Sequence, residues 1–169
     1  ANLTAADIVA NTDSFVNVKS VSDGGGGGFV ALGDAIAEAT GKNNTTLLVS
    51  DGAVLIARDD ITLDTDTDTD VDAVGEVGTG GFGGQAESRT EANIQFTSLI
   101  RVYGDLTAGD RLKLDARSRA DADAYSESDT GGVGADGESF ADASIGQILN
   151  SNSQLTGGQE NAATRVDIR

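Results

Sequence analysis

Apolar and polar residues alternate with period two along much of this chain. Between 61 and 73, Ile61, Leu63, Thr65, Thr67, Thr69, Val71 and Ala73 share one side, and Thr62, Asp64, Asp66, Asp68, Asp70 and Asp72 share the other. Between 112 and 125, Leu112, Leu114, Ala116, Ser118, Ala120, Ala122 and Ala124 oppose Lys113, Asp115, Arg117, Arg119, Asp121, Asp123 and Tyr125. A helix would scatter the acids around its circumference, whereas a half-buried strand segregates them. The alanine content favours helix by propensity, but the periodicity outweighs it. Two later tracts repeat the scheme. Ala86, Ser88, Thr90, Ala92, Ile94 and Phe96 alternate with Gln85, Glu87, Arg89, Glu91, Asn93 and Gln95, and Ser139, Ala141, Ala143 and Ile145 alternate with Glu138, Phe140, Asp142 and Ser144.

These strands recur in units. A phrase reads Leu3-Thr4-Ala5-Ala6-Asp7, Leu55-Ile56-Ala57-Arg58-Asp59, Leu106-Thr107-Ala108-Gly109-Asp110 and Leu155-Thr156-Gly157-Gly158-Gln159. Its copies stand about 50 residues apart, a period that signals stacked repeats. After each phrase comes a short apolar-alternating strand: Phe15-Val16-Asn17-Val18, Ile61-Thr62-Leu63-Asp64, Leu112-Lys113-Leu114-Asp115 and Val166-Asp167-Ile168-Arg169. A glycine cluster then separates an outgoing strand from a return strand, at Gly24 to Gly28, Gly78 to Gly84 and Gly131 to Gly134. Glycine tolerates positive φ and close backbone approach, so these clusters read as reversals. No helix pattern follows them, which excludes a phosphate-cradling loop. The expected fold is all-β: a parallel β-helix or β-solenoid of about three repeats of ~51 residues with long, Gly-tipped, hairpin-like arms. Inward side chains are large near the phrase and small near the glycines. The body should therefore taper from a Leu/Ile/Val core to a thin slab whose sheets approach more closely than the usual ~10 Å.

Composition narrows the chemistry. The 169 residues suit one domain, 1–169, and carry 28 acidic against 11 basic side chains for a net charge of −17. A phosphate backbone requires a positive surface, so nucleic acid is not an expected partner. Cys, His, Met, Trp and Pro are all missing. Without Cys and His there are no thiolate or imidazole metal sites and no Cys–His or Ser–His–Asp nucleophile. The many acids include no pair in an apolar setting, so no enzyme is expected. No apolar run reaches transmembrane length, and membrane insertion is not expected. Few oxidisable groups suit an extracellular setting.

Stacking turns outward side chains into columns. Aligning Leu63 with Leu114 sets Asp66 beside Arg117 and Asp68 beside Arg119. It also sets Asp64 beside Asp115, Asp70 beside Asp121, Asp72 beside Asp123 and Glu76 beside Glu127. Extended to the end copies, one column would read Lys19, Asp64, Asp115 and Arg169. Stacked carboxylates repel unless counter-ions or a cation screen them. Calcium, a hard cation that accepts oxygen ligands in irregular geometry, is the candidate cofactor, and Asp68, Asp70, Asp72, Asp121 and Asp123 are its candidate ligands.

The turn phrase Leu106 to Asp110, the strand Leu112 to Ala116, the Ala/Asp-rich tract and the Gly-rich tip together resemble the repeat region of filamentous-haemagglutinin-like large bacterial exoproteins and adhesins. The resemblance spans nearly the whole chain. It implies a right-handed β-solenoid at the bacterial cell surface or outside the cell, serving adhesion, matrix or filament formation, with a cell surface or polysaccharide as a contact. Long arms and few Asn ladders depart from that pattern. Both ends of the sequence fall within a repeat, so a slice or subunit of a longer fibre is expected. Its homo-oligomer or filament would form by head-to-tail stacking through Leu3, Val16, Val18, Val166 and Ile168. The alternative is a monomeric β-helix that binds or acts on carbohydrate.

Overall fold

The computed structural model describes residues 1–149, 155–157 and 162–168. Every regular element among them is a strand. The first rung of the coil comprises β1 (Asn2–Ala5), β2 (Ile8–Gly28) and β3 (Ala31–Val49). The second comprises β4 (Val54–Ala57), β5 (Asp60–Gly81) and β6 (Gly84–Val102), and the third opens with β7 (Asp105–Ala108), β8 (Arg111–Gly132) and β9 (Asp136–Ile145). Like strands stack in parallel. The recurring phrase forms the short sheet β1-β4-β7, the outgoing strands form β2-β5-β8, and β3, β6 and β9 form the return sheet. The chain is thus a parallel β-solenoid with one rung per repeat, narrow at its short face and broad on two long ones.

The arms are arches rather than hydrogen-bonded hairpins. β5 pairs with β2 and β8, and β6 with β3, β9 and β12 (Ala162–Ile168), so backbone bonds run between rungs rather than within one. β5 and β6 meet instead through inward side chains. Period-two alternation follows because each long strand belongs to a sheet with one face in the core and one outside. In β6 it breaks, and Glu91, Asn93 and Leu99 of the outward set are buried too.

The core runs from base to tip in three clusters. Ile8, Leu47, Val49, Ala53, Ala57, Ile61, Leu63, Ile100 and Val102 fill the base. Ala39, Val71, Ala73, Ala92 and Ile94 follow, and then Ala35, Val77 and Ala86 near the tip. Core side chains thus decline in size from base to tip, as the inward positions of the sequence indicate. Inward glycines thin the slab further: a Cβ at Gly41 would lie 2.5 Å from Val71 Cγ2, and one at Gly75 would lie 2.6 Å from Thr90 Cγ2. Between the first two clusters lies a buried polar belt. Thr65 and Ser98 hydroxyls bond across the slab at 3.0 Å. Asn43, on the return sheet, accepts from Ser14 Oγ at 2.6 Å and donates to the Ser14 and Asp68 carbonyls at 3.2 and 3.1 Å. One amide thereby ties both long sheets and two rungs together.

The third rung leaves its column and rejoins it. β9 follows β6 as far as Ile145, which pairs with Ile94, and β12 resumes at Ala162, which pairs with Phe96. Within the intervening segment, β10 (Gln147–Leu149) pairs antiparallel with β11 (Leu155–Gly157). The fourth copy of the phrase therefore does not join the short sheet as the sequence repeat suggested; Gly158 and Gln159 lie outside the described residues. Likewise Val166 and Ile168 do not continue the outgoing strand. They sit in the return sheet beside Ile100 and Val102.

Candidate functional site

The outer face of the β2-β5-β8 sheet carries the densest charge. All six column pairs expected between the second and third copies are present: Asp64–Asp115, Asp66–Arg117, Asp68–Arg119, Asp70–Asp121, Asp72–Asp123 and Glu76–Glu127. The first rung differs from expectation. Lys19 stands beside Asp72, not Asp64, and Asn11 occupies the place beside Asp64. The Phe15 to Val18 run is thus not equivalent to Ile61 to Asp64; Ile8 is the partner of Ile61. The Lys19 column is displaced by an even slip, which keeps every side chain on its face, whereas matching Phe15 to Ile61 is an odd slip that would turn the exposed Phe15 inward. Arg169, assigned to the same column, lies outside the described residues.

Charge pairing runs along strands as well as between rungs. Although Arg117 is registered with Asp66, its Nε donates to Asp115 Oδ2 at 3.1 Å, and Lys113 Nζ lies 3.0 Å from the same oxygen. These cations hold the Asp115 carboxyl down at about 2, the Arg117 bond contributing most. Arg111 reaches the preceding rung, donating to Asp60 Oδ2 at 3.0 Å. Asn17 does the same in the other direction, with Nδ2 2.9 Å from Asp70 Oδ2. Asn and Arg can therefore offset a carboxylate one rung away.

Asp68, Asp70, Asp72, Asp121 and Asp123 form two adjacent rows rather than a cage. Among the described residues no three acidic groups converge as a metal site would require. Side chains on one strand face alternate every ~6.6 Å, and neighbouring rungs are ~4.8 Å apart, so a flat sheet presents carboxylates in a grid.

Two features escaped the sequence reading. At the arch tips, Phe29 stacks on Phe82 with ring centroids 5.5 Å apart and planes 11° from parallel. Each ring follows the last glycine of a run, and Val133 holds the matching position after Gly132, so a column of apolar tips was available to find. On the return sheet Arg89 bonds to Glu91 and its guanidinium lies 5.7 Å from the Phe140 ring. Phe140 and Tyr125 both point outward as expected, each 51% exposed, and the Tyr125 hydroxyl donates to Glu127.

The expected stacking residues all lie on end rungs. Leu3, Val16 and Val18 belong to the first, and Val166 and Ile168 to the third. Val16 and Val18 point inward, half-buried; Val166 continues the Leu47–Ile100 column and Ile168 the Val49–Val102 column. Surface hollows are open and differ in lining: one of about 330 Å³ lies among Asp13, Ser14, Phe15, Asp66 and Asp68, and one of about 710 Å³ is lined by Thr97, Leu99, Arg101 and Ala162 to Arg165. Comparisons with protein-family models, with curated proteins and with solved structures yield no match.

Proposed function

We propose that this chain is a structural, extracellular solenoid segment that builds or extends a bacterial surface fibre, matrix or adhesin stalk by stacking of rungs. One observation carries this reading. The middle rung is saturated by backbone partners on both sides along both long sheets, whereas β2 and β3 on one side and β8 and β9 on the other are open edges among the described residues. Open edges of such length are templates for further strands. Neighbouring rungs already match over whole strands, so adding a rung repeats an interaction the molecule makes twice.

The surface chemistry agrees with a structural role. Its recurrent feature is a grid of small and charged side chains, not a deep apolar pocket with a few convergent polar groups. The bacterial and extracellular parts of the reading rest on the resemblance of the repeats to large exoprotein adhesins. The carbohydrate alternative draws on the hollow of about 290 Å³ lined by Glu87, Ser88, Arg89, Glu138 and Phe140, where an exposed ring adjoins a charged pair. Negative-stain micrographs of native material separate the two. Unbranched fibres are expected; discrete particles that bind polysaccharide would replace the stalk with the alternative.

A further inference from the structure

The two open ends of the stack are complementary to each other. Inside the chain, each rung follows the last in one fixed register, so the same register can be carried from the third rung to a first rung. That operation sets Arg117 beside Asp13, Arg119 beside Phe15, Asp121 beside Asn17 and Asp123 beside Lys19 on the outgoing sheet. On the return sheet it sets Phe140 beside Ile36. Inside the slab, Val166 meets Leu47, Ile168 meets Val49, and Leu106 meets Leu3.

Several of these contacts copy ones already present. Asp121 beside Asn17 repeats the Asn17–Asp70 hydrogen bond of 2.9 Å. Phe15 is 67% exposed on the first rung and would be covered by Arg119, which stands beside Asp68 without an ion pair among the described residues. Ile36 and Phe140, 55% and 51% exposed, would cover each other. The acidic columns gain most. Asp72 and Asp123 repel within the chain, and Lys19 beyond Asp123 would offset the outer member. Asp13 and Asp66 repel, and Arg117 beyond Asp13 would offset Asp13. Three like-charged columns would continue, as Glu127 with Asp23, Glu138 with Asp34 and Asp142 with Glu38. Each of these already holds acids on adjacent rungs within the chain.

We infer that a second copy of this chain docks its first rung on the third rung of the first, in the chain's own register, with Arg117 on Asp13 and Asp123 on Lys19. This rests on the stacking reading and deepens it by naming partner and register. The contact is heterologous: its two surfaces differ, so it propagates without closing. Complementary charge fixes which of many equally spaced backbone registers is chosen.

Two variants separate assembly from folding. Asp13→Arg places a cation beside Asp66 within the chain but against Arg117 across the junction. Asp123→Lys places one beside Asp72 within the chain but against Lys19 across it. Both should keep or raise the melting temperature of the single chain. Both should raise the concentration for half-assembly, read by sedimentation and micrographs, by about tenfold or more. Combining Lys19→Glu with Asp123→Lys should restore assembly. A register readout follows from the absence of native cysteine. Cysteines at 19 and 123 are two rungs apart within a chain but one rung, ~4.8 Å, apart across the junction, which a disulfide can span. Oxidised Lys19→Cys/Asp123→Cys chains should give a covalent ladder, and Asn11→Cys/Asp123→Cys chains should not. Fibres of the purified chain indifferent to both charge variants, with no ladder, would overturn the register and leave the stacking reading intact. A purified chain that stays monomeric at every concentration, while native material is fibrous, would overturn the second copy as occupant. Discrete native particles would remove the stacking reading itself.

Discussion

Single side chains inside the slab differ sharply in how well they are served. The Thr65 hydroxyl has a partner in Ser98, but the fully buried Thr67 and Thr69 hydroxyls have none among the described residues. An unmatched buried hydroxyl costs about 1–3 kcal/mol. Thr69→Val keeps the shape and removes the polar atom, so chemical denaturation should show a gain of about 1 kcal/mol, whereas Thr65→Val should lose about as much by stranding Ser98. Glycine positions divide the same way. Gly75→Ala would force its Cβ to within 2.6 Å of Thr90 Cγ2 and 2.9 Å of Ser88 Oγ, while a Cβ at Gly78 meets nothing within 4 Å. The first should cost about 1–3 kcal/mol by overpacking, and the second should leave stability nearly unchanged or improve it slightly. Asp115 supplies a pH signature. Its carboxyl is lowered in the fold to about 2 by Arg117 and Lys113, so its contribution is complete above the ordinary aspartate range and is lost as pH falls towards 2. Between pH 5 and pH 2, Asp115→Asn should lose less stability than the wild-type chain, measured by melting across that window.

Strands show what the amino-acid pattern can and cannot specify. The faces of β5 and β8 were readable because their acids and small residues alternate without a break, and the phrase before each strand pins the register. In the first copy Phe15 to Val18 reads as the strand start, but Ile8, seven residues before Phe15, is the residue that pairs with Ile61, and Phe15 points outward beside Asp68. That run misleads because it lies inside the strand rather than at its start; Ile8, directly after the phrase, takes the buried base position. Arch and hairpin are also indistinguishable in a single repeat: both need a glycine-tipped reversal and the same alternation. The candidate ligands were legible as columns, but convergence on a point is not set by alternation or register, and among the described residues no three acids converge. Charge repulsion along these columns should therefore respond to screening alone. Melting temperature should rise between about 10 mM and 500 mM salt as the Debye length falls from ~30 Å to a few ångströms. Calcium and magnesium at matched ionic strength should act alike; a rise specific to calcium would demonstrate a site that the grid does not display.

At the scale of the whole molecule, the repeat period carried the architecture. Copies of one phrase at near-constant spacing implied stacking, and the stack is what forms. The detour between Ile145 and Ala162 was not legible, since Leu155-Thr156-Gly157 reads as one more phrase while its backbone pairs antiparallel with Gln147–Leu149. Sequence similarity to a motif does not oblige the chain to use it when a neighbouring column is also open. One rung per repeat has a mechanical corollary. Each circuit of about 50 residues advances the axis by only ~4.8 Å, where the same length of α-helix would travel ~75 Å. Such a fold is a poor way to gain reach and a good way to gain breadth. Its cross-section is that of a plank, wide along the strands and only two sheets thick. Bending should be easy across the thin dimension and strongly resisted across the wide one, so a body built this way would behave in flow as a tape rather than as a thread.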